Sequence, residues 1–286
     1  MADQEDRVAE FLGQLPERVR ARVSTLQGLQ AEHDALETRF HEEVAELERK
    51  YELLYAPFYK ERAKIVSGKD DKSGGGPVSA KEAAAAAAGG VGGVNSVAHG
   101  IPSFWLTAMS NYRDIKVHMT EKDAEALKYL EDIRWSRLDG DNPQSFKLEF
   151  VFAANPFFTN SVLTKTYFME EEDDDSVLAR AAGTVINWKE GKNLCASTEP
   201  VKRGGMKSFF AFFSPPDIPD DENSLDEEEA MDLRDELEEH CELGIAIKEQ
   251  LIPRAVSWYT GEAVEDEEEE EDDDDEEDDD DDGDDQ

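Results

Sequence analysis

Residues 16–66 read PERVRARVSTLQGLQAEHDALETRFHEEVAELERKYELLYAPFYKERAKIV, and this stretch decides the architecture. Apolar residues recur along it in steps of three and four, averaging about 3.5 residues, which predicts one continuous helix with a single apolar seam. At ~1.5 Å per residue the helix is roughly 76 Å long. The seam comprises Val19, Val23, Leu26, Leu29, Leu36, Phe40, Val44, Leu47, Tyr51 and Leu54.

A rod of this length exceeds the diameter of a compact domain built from the remaining chain, so we expect the seam to meet a second copy in a coiled-coil homodimer. The alternative is a core helix in a monomeric bundle, which requires a second long amphipathic helix that the sequence does not contain. His33 fills the one vacant place in the seam and is interpreted as a polar register marker. Pro57 is expected to kink the last turns.

Changes in composition predict five segments along the chain. The long helix is followed by a Gly/Ala-rich connector without apolar periodicity, then by a region with the composition of a mixed α and β domain. The predicted segments are a flexible N-terminus (1–15), the dimerisation helix (16–66), a flexible linker (67–99), an α+β binding domain (100–263) and a disordered acidic tail (264–286).

Period-two alternation predicts an antiparallel sheet in the α+β domain. Phe146, Leu148, Phe150 and Phe152 fall on one face of a strand. A second strand is predicted over 162–169 and a third over 183–188.

Helices are expected to flank this sheet. One covers 104–109, and a second begins at Thr120, capped with Asp123, and shows Leu127 and Leu130. The last follows the acids at 226–229, which suit a helix N-terminus. Its apolar positions are Ala230, Leu233, Leu237, Cys241 and Ile245.

The chain ends in EDEEEEEDDDDEEDDDDDGDDQ, residues 265–286, in which 20 of 22 residues are acidic. This tail is expected to be an extended, solvated chain whose charge spacing imitates one strand of a nucleic acid backbone. The whole chain has a formal charge of −40, so the rest is acidic as well. A basic protein is therefore the expected partner, and direct nucleic-acid binding is not expected. The alternative for the tail is solubility alone.

Two further acidic stretches lie within the α+β domain, at 170–175 after the second strand and at 217–229. We predict that they bind the basic partner, the alternative being ordinary solvated loops. The candidate binding carboxylates, including the start of the tail, are Glu170, Glu171, Glu172, Asp173, Asp174, Asp175, Asp220, Asp221, Glu222, Glu265, Asp266 and Glu267.

No motif for catalysis, for a cofactor or for a metal site is found. The five histidines and the two cysteines, Cys195 and Cys241, are scattered without ligand spacing, and neither a P-loop nor a nucleophile elbow is present. We therefore predict a protein that is not an enzyme and needs no cofactor. The N-terminus lacks a signal peptide, no apolar run approaches ~20 residues and no prenylation motif is present, so a soluble intracellular protein without a membrane partner is expected.

Nine motifs, collinear over residues 12–263, closely resemble those of the nucleosome assembly protein family of histone chaperones. They are Leu47–Tyr51, Tyr55–Tyr59, Gly100–Met109, Glu125–Ile133, Asn155–Asn160, Leu163–Tyr167, Trp188–Asn193, Ser208–Pro216 and Ile252–Gly261. The resemblance implies a dimer of antiparallel long helices, each carrying an α+β domain, with the two domains forming a dome whose acidic concave side engages core histones.

The resemblance also implies movement between cytoplasm and nucleus, and here the sequence departs from the family. The segment before Phe209 is short and offers only Lys202, Arg203 and Lys207 as an import signal. Val23, Leu26 and Leu29 match the family's export leucines, but they also fit the seam.

The resulting hypothesis is a histone chaperone that shields basic core histones and promotes nucleosome assembly and disassembly without ATP. The alternatives are an acidic scaffold or inhibitor that binds signalling enzymes through the dome, and a low-affinity calcium buffer acting through the tail.

Overall fold

The structure is a computed structural model. It describes residues 7, 10–69, 100–138, 142, 144–172, 175–196, 206–216 and 226–264, without the side chains of 171, 172, 175, 176 and 227. The chain divides into two units, Met1–Tyr59 and Lys60–Gln286. Residues 70–99 of the predicted linker, residues 1–6, 8 and 9 of the N-terminus and the tail from 265 onward lie outside the described residues.

The long helix is confirmed. Helix α1 spans Glu17–Ser67, 51 residues, and continues through Pro57 without a break. Residues 10–14 are also helical. The Arg20 guanidinium donates hydrogen bonds to the carbonyl oxygens of Leu12, Gly13 and Leu15, so it ties the segment before α1 to the first turn of that helix.

The second unit contains a four-stranded antiparallel sheet in the order β1-β2-β3-β4. Its strands are β1 (Leu130–Arg137), β2 (Phe146–Phe152), β3 (Val162–Glu172) and β4 (Asp175–Gly183). Burial alternates along β2, where the four predicted residues Phe146, Leu148, Phe150 and Phe152 are the buried ones. The predicted α+β class with an antiparallel sheet is confirmed.

Two details of the predicted sheet are wrong. Leu130, which the sequence predicts on one helix with Leu127, is the first residue of β1. Residues 183–188 are not a strand: β4 ends at Gly183, and Trp188 makes only an isolated bridge to Phe158. A side chain at Gly183 would place its Cβ 1.9 Å from the Phe213 carbonyl oxygen. Only glycine therefore allows the end of β4 to lie this close to the Phe213 backbone.

Helices pack around the sheet as expected. The α-helices are α2 (Phe104–Asn111), α3 (Arg113–Lys116), α4 (Glu121–Leu127), α5 (Glu227–Ala246) and α6 (Ala255–Thr260). A π-helical segment, Ile247–Leu251, continues α5, and two 3-10 helices span Leu194–Ala196 and Phe209–Phe213. Four phenylalanines of the last segment are buried, and Phe150 of β2 meets three of them edge to face.

The buried face of α5 differs from the predicted one. The buried positions of α5 are His240, Leu243 and Gly244, followed by Ile247 of the π-helical segment. Ala230 and Ile245 are exposed, and Leu233, Leu237 and Cys241 are half-buried. The buried face differs because α5 contacts β3, and this contact requires a small residue at Gly244 and a hydrogen-bonding ring at His240. A Cβ at Gly244 would lie 2.2 Å from the Tyr167 hydroxyl, and that hydroxyl donates to the His240 carbonyl oxygen at 2.7 Å.

Asp123 joins α4 to the phenylalanine segment. It forms the predicted capping box with Thr120, and its carboxylate also accepts hydrogen bonds from the Ser208 hydroxyl and the Phe209 backbone N–H. Asp123 is completely buried, so these donors replace the water that would otherwise solvate the charge.

Replacing Asp123 with Asn converts one acceptor oxygen into a donor that faces other donors. We expect the Asp123→Asn variant to lose about 3 kcal/mol of unfolding free energy, in the range for hydrogen bonds to a buried charge. Urea denaturation measures this loss. An unchanged midpoint would show that Asp123 does not hold these elements together.

Lys165 on β3 is completely buried against α5. Its Nζ lies 2.7 Å from the Phe212 carbonyl oxygen and 2.7 Å from His240 Nδ1. Burial lowers the pKa of Lys165 from 10.5 to about 7, and burial together with the neighbouring Lys165 lowers the pKa of His240 to about 3. His240 therefore accepts from Lys165 as a neutral ring.

Because the pKa of Lys165 is lower in the folded than in the unfolded chain, the unfolded chain binds more protons between these values, and stability rises with pH from about 7 to 10.5. We expect the Lys165→Met variant to lose this rise, on the order of 3 kcal/mol. Urea denaturation at pH 7.5 and 9.5 measures the difference. The control is Lys122→Met at an exposed position of α4, which should keep the wild-type dependence, and a Lys165→Met variant that also keeps it would contradict the account.

Candidate functional site

The apolar seam of α1 is exposed to solvent along its length. Leu36 and Phe40 retain 67% and 62% of their accessible surface. Of the ten predicted seam residues, nine are exposed and Val23 is half-exposed: Val19, Val23, Leu26, Leu29, Leu36, Phe40, Val44, Leu47, Tyr51 and Leu54. A continuous apolar stripe of this kind marks a surface for association.

The remaining surface of α1 is polar. Arg39 pairs with Glu43, and Gln30 donates to Asp34, both at the spacing that places side chains on one helical face. His33, Asp34 and Glu37 place their ligand atoms within 4.8 Å of one another, although the sequence showed no ligand spacing around the histidines. All three side chains are exposed, as is usual for ion pairs on a helix surface, and they indicate no built metal site.

The acidic stretch 170–175 includes the end of β3 and the start of β4. Glu170, Glu171 and Glu172 extend β3 and pair with Val177, Ser176 and Asp175 of β4. Glu170 is exposed. Asp173, Asp174 and the side chains of 171, 172 and 175 lie outside the described residues, so their binding role stays a prediction.

Helix α5 adds acidic surface that the sequence-based candidates missed. Asp226 caps the helix in a capping box with Glu229. Beyond this first turn the exposed carboxylates are Asp232, Asp235, Glu236, Glu238 and Glu242. The sequence does contain these acids, which occupy most positions between the apolar ones. The apolar pattern, however, predicts a different buried face for α5 from the observed one. The other candidates, Asp220, Asp221, Glu222, Glu265, Asp266 and Glu267, lie outside the described residues.

Crowding of like charge is visible at the border of this helix. Burial, together with the negative charges of Glu236 and Glu242, raises the pKa of Glu239. Its carboxylate lies 3.2 Å from His118 Nδ1, and burial lowers the pKa of that histidine. The carboxylates of α5 therefore lie close enough to one another to raise the pKa of a neighbouring acid.

The two cysteines do not form a reactive centre. Cys195 and Cys241 are free and half-buried, and burial raises the pKa of each thiol. A raised pKa keeps the thiol protonated and unreactive. Over the residues described, no helix is both long enough and apolar enough to cross a bilayer.

Comparison with known proteins identifies the family. The family model described as "Nucleosome assembly protein (NAP)" matches residues 21–262. "Nucleosome assembly protein 1;1" of Oryza sativa subsp. japonica is 43% identical over 271 residues, which cover 90% of this chain and 69% of the relative. "Nucleosome assembly protein 1;3" of Nicotiana tabacum is 44% identical over 271 residues, covering 90% and 69%.

Solved structures agree with this result. The crystal structure of the malaria parasite Nucleosome Assembly Protein is 31% identical, with a TM-score of 0.63, and the match covers 87% of this chain and 98% of that one. Nucleosome Assembly Protein 1 from Plasmodium knowlesi is 30% identical, with a TM-score of 0.64 and coverage of 87% and 99%. The chain belongs to the nucleosome assembly protein family.

Proposed function

We propose that this protein is a homodimeric histone chaperone that shields core histones and passes them to DNA without ATP. The observation that carries the proposal is the surplus of negative charge on the folded body, concentrated on α5 and at the β3–β4 hairpin. Membership in the nucleosome assembly protein family supports histones as the basic partner. In the proposed division of labour, residues 100–263 bind histones and the tail from 264 adds charge.

The direction of transfer follows from charge density. Duplex DNA carries about one charge per 1.7 Å of its axis, and histone binding releases its condensed counterions. An extended acidic tail has about half that density. Histones should therefore pass from the chaperone to DNA without an energy source, while weak stray contacts between histones and DNA are removed.

The dimer is supported by the exposed seam of α1. Seam residues from Val19 to Leu54 extend over roughly 53 Å of helix, and none of them is fully buried in the single chain. Pairing with the same seam of a second copy would bury both stripes at once. We also propose that the dimer moves between cytoplasm and nucleus. Because Lys202, Arg203 and Lys207 form only a weak import signal, import would depend on a carrier protein or on the bound cargo.

The double substitution Leu36→Asp with Phe40→Asp places two charges in the centre of the seam. We expect the variant to sediment as a monomer at micromolar concentration, where the wild type sediments as a dimer. The control is Thr38→Asp, because Thr38 is exposed and lies about 200° around the helix from Leu36. A wild-type chain that sediments as a monomer would refute the dimer.

Neutralising the acids of α5 tests the histone surface. A variant in which Asp232, Asp235, Glu236, Glu238 and Glu242 become Asn or Gln should bind core histones about tenfold more weakly at physiological salt and should show a shallower dependence of affinity on salt. Fluorescence titration with labelled histones measures both.

The matched control neutralises five exposed acids of α1: Glu32, Glu37, Glu42, Glu46 and Glu48. It has the same net charge as the α5 variant, so equal losses in the two variants would show that net charge alone acts and that α5 is not a binding surface.

A further inference from the structure

A groove of about 760 Å³ lies beside strand β4, which forms one edge of the sheet. One wall is β4 itself from Ala179 to Gly183, where short side chains flank Arg180. The remaining lining comes from residues between 185 and 195 and from 213–216, and it includes the apolar side chains of Val185, Trp188 and Pro215. Two stretches of chain therefore build the groove.

The described residues of these two stretches and their flanks carry more positive than negative charge. Over 177–196 and 206–216 the basic side chains are Arg180, Lys189, Lys192 and Lys207, and the one acid in those ranges is Glu190. All five side chains are exposed. Because the whole chain has a formal charge of −40, the groove lies in a locally cationic part of a strongly acidic protein.

The positive charge of Arg180 is not neutralised by a neighbouring acid. Its guanidinium lies 4.2 Å from the centroid of the Phe168 ring, and no carboxylate among the described residues forms an ion pair with it. Elsewhere on the sheet a basic side chain does have such a partner, since Lys147 of β2 lies 2.8 Å from Glu149. Arg180 can therefore attract an anionic ligand to the groove.

Local structure brings the three lysines to the groove. The turn Lys189–Lys192 is closed by a 3.0 Å hydrogen bond between the backbones of its end residues, and it connects two lining residues, Trp188 and Asn193. The residue that follows Lys207 hydrogen-bonds through its side chain to Cys195, which is another lining residue. A cleft with cations of one sign and apolar walls focuses the electrostatic potential, so it favours a polyanion.

We propose that this groove binds the acidic tail of the same chain, residues 265–286, when no basic cargo is present. The tail places carboxylates against Arg180, Lys192 and Lys207. This contact is autoinhibitory, because carboxylates held in the groove are withheld from histones. The regulatory part of the inference rests on the proposed function, since histones are the competitor that displaces the tail.

The tail is the occupant because its charge and its attachment both fit the groove. It contains 20 acids in 22 residues and follows Val264, the last described residue, in the same unit as the groove. An extended chain of 22 residues reaches roughly 70 Å, which exceeds the diameter of about 40 Å of a compact domain of about 160 residues. Covalent attachment raises the effective concentration of the tail, so a weak attraction is sufficient.

Carbodiimide coupling of the full chain tests the docking without any cargo, because it joins a carboxylate directly to a lysine amine. We expect tail carboxylates to couple to Lys192 and Lys207 about fivefold more than to Lys60 and Lys116 at physiological salt. The two control lysines are exposed and belong to α1 and α3, which contribute nothing to the groove. Mass spectrometry of the linked peptides measures the yields, and equal yields for the two pairs would overturn the proposal.

Substitution of the groove cations tests the autoinhibition. Arg180→Gln with Lys192→Gln should lower coupling of the tail to Lys207 about threefold and should tighten histone binding about threefold, because the tail is released. The matched control, Lys60→Gln with Lys116→Gln, makes the same change in net charge. Lys192→Gln with Lys207→Gln, measured by histone affinity, replaces the first variant if thermal unfolding shows that it is not folded. Equal effects of groove and control variants would contradict the assignment.

Two further measurements exclude other occupants. Coupling in a mixture of ¹⁵N-labelled and unlabelled chains identifies which chain supplies the tail, and links confined to chains of different isotope content would assign the groove to a second copy and overturn the proposal. A labelled DNA oligonucleotide that binds the wild type more tightly than the groove variant would assign the groove to nucleic acid instead.

The outcomes separate the docking from the proposed function, since the coupling experiment contains no histones. If histones bind the full chain while the tail couples to all exposed lysines equally, the docking site is wrong and the chaperone function stands. If the tail couples selectively to Lys192 and Lys207 while histones do not bind, the docking stands and the proposed function is wrong.

Discussion

The contact between β3 and α5 is the constraint on which the functional surface depends. Lys165 and Tyr167 reach from the sheet to His240 and to the close approach at Gly244. Helix α5 carries carboxylates over most of its length, and their mutual repulsion opposes its association with an acidic body. The buried hydrogen bonds and the lack of space for a larger residue at Gly244 together fix the position of the helix. The carboxylates of α5 therefore lie at defined positions on the domain surface.

This arrangement separates what holds the domain together from what it displays. Stacked and edge-to-face rings stabilise the interior, as where Phe150 meets the phenylalanine segment and where Tyr112 stacks on Trp258 with ring centroids 4.4 Å apart. The carboxylates of α5 from Asp232 to Glu242 that bear the proposed function remain outside, where salt screens them and where a cationic partner can replace water and ions. A surface of this kind attracts its partner at long range and still releases it to a polyanion of higher charge density.

The sequence predicted the parts of the fold that rest on simple periodicity. The long helix, the strand at Phe146–Phe152 and the Thr120–Asp123 cap follow local rules and are confirmed. It missed β1 because Leu130 continues the helical spacing of Leu127, and only pairing with β2 selects the strand. The sequence wrongly predicted a strand over 183–188. Strand β4 ends at Gly183, where the Phe213 carbonyl lies against the chain, and Phe213 is about 30 residues away in sequence.

The candidate site was predictable to a similar degree. Runs of acids at 170–175 and in the tail are visible in the sequence, and the first run includes the end of β3 and the start of β4. The exposed acids of α5 depend on which face of the helix the packing leaves uncovered. That face is not set by local sequence, since His240 and Gly244 are not residues that an apolar stripe would select.

Sedimentation velocity of the full-length protein with labelled core histones, followed by addition of duplex DNA at physiological salt, tests the central claim most directly. The account predicts a soluble complex of one dimer with histones, and then transfer of the label to DNA with release of the free dimer. Histones that aggregate as they do without the protein, or that remain on the protein in the presence of excess DNA, would contradict it.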